Sequence, residues 1–286
     1  MKQFFENLIY TLYGVIQILF KSKFRPGIIK LDLEKTEQCY ILGNGPALVN
    51  DIERKADLLH SQTLFVVNFF AKSNLYALYR PGFYIFADPM FYSDHIKHDK
   101  QKEVDELLSI ISQETSWPII IFAPNQALEK MRSCFINNKN IQLFDYNIQA
   151  VKRGFKWFIQ WVHDRQLATF GAMNVVNVAV YLAVFLGFRE INLLGIDHSW
   201  HLNFVVGKDN LIYQKDRHFD DEKEPDLKLV RKDPGRIKPY KLHELLEYSA
   251  IALKNYHYIQ AYAQEKNVKI YNCCTDSFVD AFERKN

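Results

Sequence analysis

The chain of 286 residues is sparing in cysteine, glycine and proline, and it carries no strong excess of either charge. Its four cysteines, Cys39, Cys134, Cys273 and Cys274, include no Cys-x-x-Cys. That excludes the common zinc spacing and favours a reducing, cytoplasmic setting over a secreted disulfide framework. With only 11 Gly and 9 Pro against 48% hydrophobic residues, collagen-like, low-complexity and disordered classes are excluded as well. The 36 Lys and Arg against 33 Asp and Glu leave a net +3. This is too mild for a nucleic-acid footprint, so no nucleic-acid partner is expected and any anionic ligand must be met locally. No apolar run reaches the about 20 residues of a spanning helix.

What the chain does have is aromatic residues, 15% in all, and some stand where solvent or lipid is expected. Residues 4–20, FFENLIYTLYGVIQILF, are apolar but broken by Glu6, Asn7, Thr11 and Gln17, and Lys21, Lys23 and Arg25 follow at once. A signal peptide has the opposite order, with charge first. The segment reads equally as an interfacial helix on an anionic membrane surface or as a helix packed on its own domain or on a partner subunit, which leaves homo-oligomerisation open. The expected organisation is a membrane-associating helix in 1–30 and one large domain in 38–286. The expected location is cytoplasmic, peripheral on the inner face of the cytoplasmic membrane.

From residue 38 short β-rich runs alternate with helical ones, the pattern of an α/β fold with a mostly parallel sheet flanked by helices. Strands are predicted at 39–42, 64–67, 84–87, 119–122, 141–144 and 191–194, with a seventh at 268–271. Helices are predicted at 47–59, 100–113, 126–135, 149–161, 172–186 and 242–264. Residues 207–241 are densely charged and far longer than the usual βα connection of about 2–6 residues. They read as a lid or as a disordered insert.

Such a sheet places its ligand at the carboxyl ends of its strands. The first strand runs into Gly43-Asn44-Gly45-Pro46 and a helix, a turn that fits either an anion cradle or plain β-to-α chemistry. Leu48 replaces the third glycine of the dinucleotide fingerprint and no Gly-Lys-Ser/Thr follows, so neither a nicotinamide cofactor nor a P-loop is indicated. The second strand ends at Asn68 and the third at Asp88-Pro89, residues equally at home in turns and caps. Thr169-Phe170-Gly171 precedes the most apolar helix, as a ligand contact or an ordinary N-cap. Gly195-Ile196-Asp197-His198 follows the sixth strand, with His201 close behind.

Together these segments resemble the bacterial family 42 sialyltransferases, through ILGNGPAL, VVNFF, FADPMFY, ATFGAMNVVNVAVYLAVFLGFREINLLGID and VKIYNCC. The same core resembles the related flagellin-glycosylation accessory proteins. The resemblance implies a Rossmann-like, GT-A-like domain with a flexible lid and an inverting, metal-independent glycosyltransferase. Such an enzyme would move an acidic sugar from a CMP-sugar donor to a glycan or glycolipid acceptor of lipopolysaccharide type, with no cofactor. Carried over by position, Asn44, Gly45, Pro46 and Asn68 would hold the phosphate and ribose side. Thr169, Phe170 and Gly171 would hold the nucleoside, and Asp88 stands where the family commonly has Asn. Asp197 belongs to the Gly-Ile-Asp motif on the donor side. Leu167 and Ser199 replace a family Arg and Tyr, with Arg165, Tyr213 or Tyr240 as substitutes, which widens the donor to Kdo or another nonulosonic acid.

Transfer with inversion needs a base, and histidine titrates near neutrality. The family's position for it corresponds to His243, beside lid Tyr240, although His243 reads equally as a first-turn helix residue; His198 and His201 are the reserves. The backbone of Gly43-Asn44-Gly45-Pro46, lid Tyr240 and a basic lid residue such as Arg231 or Arg236 would help the departing phosphate. No Asp-x-Asp of the metal-dependent sugar transferases stands at a strand end, and Asp220-Asp221 falls in the charged stretch. Two other classes stay open, a nucleotide-dependent pyrophosphokinase-like enzyme and a non-catalytic glycan-assembly partner.

Overall fold

The computed structural model describes residues 1–24, 37–92, 100–215, 219, 226–232 and 238–285. The chain opens with α1 (Lys2–Lys21) and enters the sheet at β1 (Gln38–Leu42). Then come α2 (Leu48–Glu53), α3 (Ala56–Leu59), β2 (Thr63–Val67), α4 (Leu75–Tyr79), β3 (Phe83–Ile85), α5 (Lys100–Glu114), β4 (Ile119–Pro124), α6 (Leu128–Phe135) and β5 (Ile141–Tyr146). The second half holds α7 (Lys156–Asp164), α8 (Val175–Leu186), β6 (Glu190–Leu194), β7 (Phe204–Val206), β8 (Ile212–Gln214), β9 (Lys228–Leu229), α9 (Leu242–Glu265), β10 (Lys269–Asn272) and β11 (Glu283–Arg284).

Eight strands form one sheet in the order β11-β10-β6-β1-β2-β3-β4-β5, and every pairing is parallel. Strands buried on both faces read as continuous apolar runs, which is why their positions are legible in sequence. Alternate side chains serve two cores. Ile41, Phe65, Ile85 and Leu193 face α8 and α9, whereas Leu42, Val66, Tyr84 and Ile121 face α2 to α6. The chain steps one way from β1 to β5 and then returns to the other side of β1 with β6. A cleft therefore opens between the carboxyl ends of β1 and β6, the topological switch point where α/β sheets bind ligands.

Several expectations shift. The aromatic excess is in good part core, since Phe70, Phe83, Tyr84 and Phe91 around the ends of β2 and β3 are buried. The predicted helix 47–59 breaks into α2 and α3. Instead of forming the start of a helix from 149, residue Ala150 bridges Thr169, and α7 begins only after Gly154, whose φ of 140° suits glycine. The expected helix from 172 starts at Val175, because Asn174 Oδ1 accepts the Val176 N–H at 2.6 Å. β8 and β9, within the charged stretch, join β7 just ahead of it in a small antiparallel sheet. Arg25, Arg236, Asp220 and Asp221 lie outside the described residues. The helix α1 packs Thr11, Gly14 and Ile18 against the domain, with Ile18 joining a small core of Val151, Phe158 and Val162.

Candidate active site

The cleft at the switch point measures about 170 Å³, below the common range of small-molecule sites, so it would hold part of a nucleotide rather than a whole nucleotide sugar. Its wall comes from the β1 turn (43–46), from Asn68 after β2, from the start of α8 (Asn174, Val175, Val176) and from the β6 loop (Gly195, Asp197 to Trp200, and Asn203). Of the residues singled out in sequence, Asn44, Gly45, Pro46, Asn68, Asp197, His198 and Ser199 line it together.

The β1 turn and the β6 loop are laced to each other. Gly43 N–H donates to Leu194 O at 2.8 Å, Gly45 N–H to Gly195 O at 2.9 Å and Ala47 N–H to Asp197 Oδ1 at 3.3 Å. A Cβ on Gly45 would lie 1.6 Å from Asp197 Oδ2, and one on Gly43 would lie 2.3 Å from Gly195 O. Both glycines are thus required by close approach. This corrects the anion-cradle reading of the turn, because most of its amide donors are engaged inside the protein and α2, with six residues, has little dipole. The N-terminus that faces the cleft is that of the 12-residue α8, capped by Asn174. Asn174 was missed in sequence, although an Asn ahead of an apolar helical run is a cap signal.

Two buried supports hold the loop. Asp51 Oδ2 accepts the Gly195 N–H at 2.8 Å, while its Oδ1 accepts Thr275 N–H at 2.7 Å and Thr275 Oγ1–H at 2.6 Å. On the other wall, Asn68 stands at φ 43° with its carbonyl accepting from Tyr84 Oη at 2.5 Å. Gly195 and His198 also have positive φ, 63° and 53°. Left-handed non-glycine residues gathered at one cleft mark a backbone shaped by its surroundings.

Three oxygens of cleft-lining residues are buried and unpaired: Asn44 Oδ1, Asn68 Oδ1 and Asp197 Oδ2. The Asn44 orientation is fixed, since its Nδ2 donates to Val67 O at 3.1 Å, so the amide presents an acceptor. Burial raises the Asp197 carboxyl to about 6, opposed by the backbone hydrogen bond from Ala47. Burial holds His198 down to about 3, hence neutral. Its Nε2 is 2.6 Å from Tyr256 Oη, and its ring stacks on Trp200 at 4.2 Å. No Lys or Arg lines the cleft among the described residues.

The remaining sequence candidates lie elsewhere. Thr169 is pinned to the 148–151 segment: its N–H donates to Gln149 O at 2.8 Å, and its Oγ1 accepts the Gly171 N–H at 3.2 Å. Phe170 stacks on buried His163 at 3.7 Å beside Tyr181 and Tyr262. Gly171, at φ 112°, abuts Asn255, whose Nδ2 is 2.8 Å from a built Cβ. Asp88 caps a 3-10 turn by accepting the Met90 N–H at 3.0 Å. None of these lines the cleft. His243 is exposed in the first turn of α9, about 20 Å of helix rise from Tyr256. Tyr240 and Arg231 belong to the lid segment, whose hydrogen bonds run to β8 and to its own neighbours. These three also stand off the cleft wall. His201 packs edge-on against Phe278. Leu167 is core, Arg165 covers Trp161, and Tyr213 Oη donates to Asp209. From the lid, Phe219 N–H donates to Asn44 O at 3.3 Å, so the insert touches the β1 turn.

No protein-family model and no curated protein matches the chain. Among solved structures, its fold is similar to that of a MAf glycosyltransferase from Magnetospirillum magneticum AMB-1. The TM-score is 0.50 at 12% identity, over 98% of this chain and 38% of that one. The chain thus spans well under half the length of that protein, and the likeness is one of fold, a Rossmann-like parallel sheet with flanking helices.

Proposed function

We propose that the chain is an inverting, metal-independent glycosyltransferase of the family 42 sialyltransferase type. In this reading it moves an acidic sugar, sialic acid, a related nonulosonic acid or Kdo, from a CMP-sugar to a cell-surface glycan such as lipopolysaccharide. The observation that carries the reading is the set of three unpaired acceptors, Asn44 Oδ1, Asn68 Oδ1 and Asp197 Oδ2, around one cleft at the switch point. Buried acceptors without donors cost stability unless a ligand supplies them. The ribose or base of a nucleotide at Asn44 and Asn68, and an acceptor hydroxyl at Asp197, fit that demand. The start of α8 turns the positive end of its dipole toward the cleft, where the phosphate would sit. The glycosyltransferase fold neighbour adds an analogy of fold.

In the transfer, the acceptor hydroxyl attacks the anomeric carbon as the bond to the CMP phosphate breaks. A base takes the hydroxyl proton and the departing phosphate keeps the bonding electrons. We assign the base to Asp197, whose raised pKa of about 6 makes it a better proton acceptor than an ordinary aspartate. His198, buried and neutral, would position the loop through its contact with Tyr256. His243, the expectation from sequence, would need to act from outside the cleft wall.

Titration calorimetry of the folded chain with CMP tests the reading. Saturable CMP binding without a metal supports it. Binding of ATP with magnesium and none of CMP replaces it with a pyrophosphokinase-like activity, and binding of neither leaves a non-catalytic partner role.

A further inference from the structure

The helix α1 is mounted the wrong way round for a soluble protein. An amphipathic helix normally turns its apolar stripe to the core. In α1 the side facing the domain holds Thr11, Gly14 and Ile18, flanked by half-buried Glu6, Asn7, Tyr10 and Gln17. The contacts are largely polar or small. Thr11 Oγ1 accepts the Phe155 N–H at 3.0 Å, Arg153 covers the Tyr10 ring at 3.8 Å, and Gly14 lets Phe158 approach so closely that a Cβ would sit 2.8 Å from its ring. The opposite side is apolar throughout: Phe5, Ile9, Leu12, Ile16, Leu19 and Phe20 are each more than half exposed. At 3.6 residues per turn, these and their exposed neighbours cover about half the helix circumference.

We propose that α1 is an interfacial membrane anchor, clamped to the domain by its polar side and lying flat in an anionic lipid surface by its apolar side. Three observations choose a bilayer over a second copy of the chain. The exposed face is about twice as wide as the narrow seam a helix pair buries. Its ends are basic: Lys2 stands at one, Lys21 and Lys23 at the other, all exposed, and the only acid of the helix, Glu6, is half-buried at the margin of the exposed face. The aromatic surface also continues beyond the helix, since Phe4 lies 5.4 Å from Phe155, which stacks on exposed Trp157. Rings with amphipathic edges belong at the headgroup level. No described helix is long and apolar enough to cross a membrane, so α1 lies on the surface rather than spanning it.

The test is co-sedimentation of the full chain with vesicles of phosphatidylcholine alone and with about one third phosphatidylglycerol. The expected result is binding to the anionic vesicles, weakened by salt and by the neutral lipid. The Ile9→Glu/Ile16→Glu double variant should lower vesicle affinity at least about tenfold, with the thermal transition and CMP affinity unchanged, because both side chains face away from the domain. Ile9→Leu/Ile16→Leu should bind as the wild type does. The proposal is overturned if the wild-type chain ignores anionic vesicles, if the double Glu variant still binds them, or if that variant only converts a dimer to a monomer. The last result would assign the face to a second copy.

Discussion

Two loops at the carboxyl end of the sheet are built from similar residues and meet different fates. One is the pair of segments 43–46 and 195–199, the other the pair 148–151 and 169–171. Each brings glycine, small polar side chains and a nearby buried histidine into a turn. In the second pair, Thr169 finds its partners in Ile148, Gln149 and Gly171, and Phe170 is closed in by His163 and Tyr262. A cleft of about 180 Å³ opens behind Phe170, walled by Lys152, Lys156 and Tyr258, and neither Thr169 nor Gly171 reaches it. In the first pair, Asn44 and Asp197, with Asn68 beside them, line the switch-point cleft, and each keeps a buried oxygen without a donor. A polar residue at a strand end marks a turn that needs hydrogen bonds. Gln149 Oε1 in the second pair is unpaired as well, but Gln149 lines neither cleft; what sets the first apart is that its unpaired oxygens belong to residues that wall a cleft.

The sharpest way to break this comparison is a pair of glycine substitutions. Gly45→Ala drives a methyl group into Asp197 and Gly195. It is expected to cost about 2–3 kcal/mol of stability and to weaken CMP binding at least about 100-fold. Gly171→Ala, strained by its positive φ, should cost similar stability yet leave CMP affinity within about twofold, since its clash is with Asn255. Thermal unfolding and calorimetry on both variants separate the two regions. Equal losses of affinity would erase the distinction.

The two buried histidines give the next largest effect. Both have pKa values lowered by burial, to about 4 for His163 and about 3 for His198. A lowered histidine pKa leaves stability intact above the unfolded value and removes it as pH falls below about 6.5, because only the unfolded chain takes up the proton. Urea unfolding should therefore show a loss of about 3 kcal/mol per histidine by pH 4. His198→Asn should flatten that fall by up to about 3 kcal/mol.

Asp197 has the opposite sign. Its folded pKa of about 6 lies above the ordinary 3.8, so its contribution is fully present below about pH 4 and is lost as pH rises through 6. Asp197→Asn should then be more stable than the wild type by up to about 3 kcal/mol at pH 8, with the gap closing toward pH 4, while transfer is lost. A site residue that destabilises its own fold is the pattern of function retained at the expense of stability. The smallest effect belongs to His243→Ala. As an exposed first-turn residue it should shift stability by less than about 0.5 kcal/mol and leave transfer unchanged; a large loss of turnover with intact CMP binding would return the base to His243.

Much of the sheet was legible because parallel strands are continuous apolar runs, and each of the strands β1 to β6 stands within about two residues of its expected place. The strand β11 was not, being two charged residues at an edge. The apolar spacing of 149–161 imitated a helix start, but Ala150 pairs with Thr169 instead, a partner that periodicity does not display. The Thr169 and Asn174 side chains are both good caps, and only that pairing decides between them. His198 looked like a reserve base. Its burial depends on Tyr256, 58 residues away, which no local pattern reveals. The half-polar, half-apolar composition of α1 was readable, while the direction in which each half points was not.

The central claim is that the unpaired acceptors of the switch-point cleft await a nucleotide. Its most direct test is calorimetric titration of CMP into the wild-type chain and into Asn44→Ala, whose side chain holds one such acceptor in a fixed orientation. The account predicts saturable binding that falls about tenfold in the variant, the loss of one hydrogen bond to a buried group. Tight CMP binding unchanged by Asn44→Ala, or no CMP binding to the folded wild type, would contradict it.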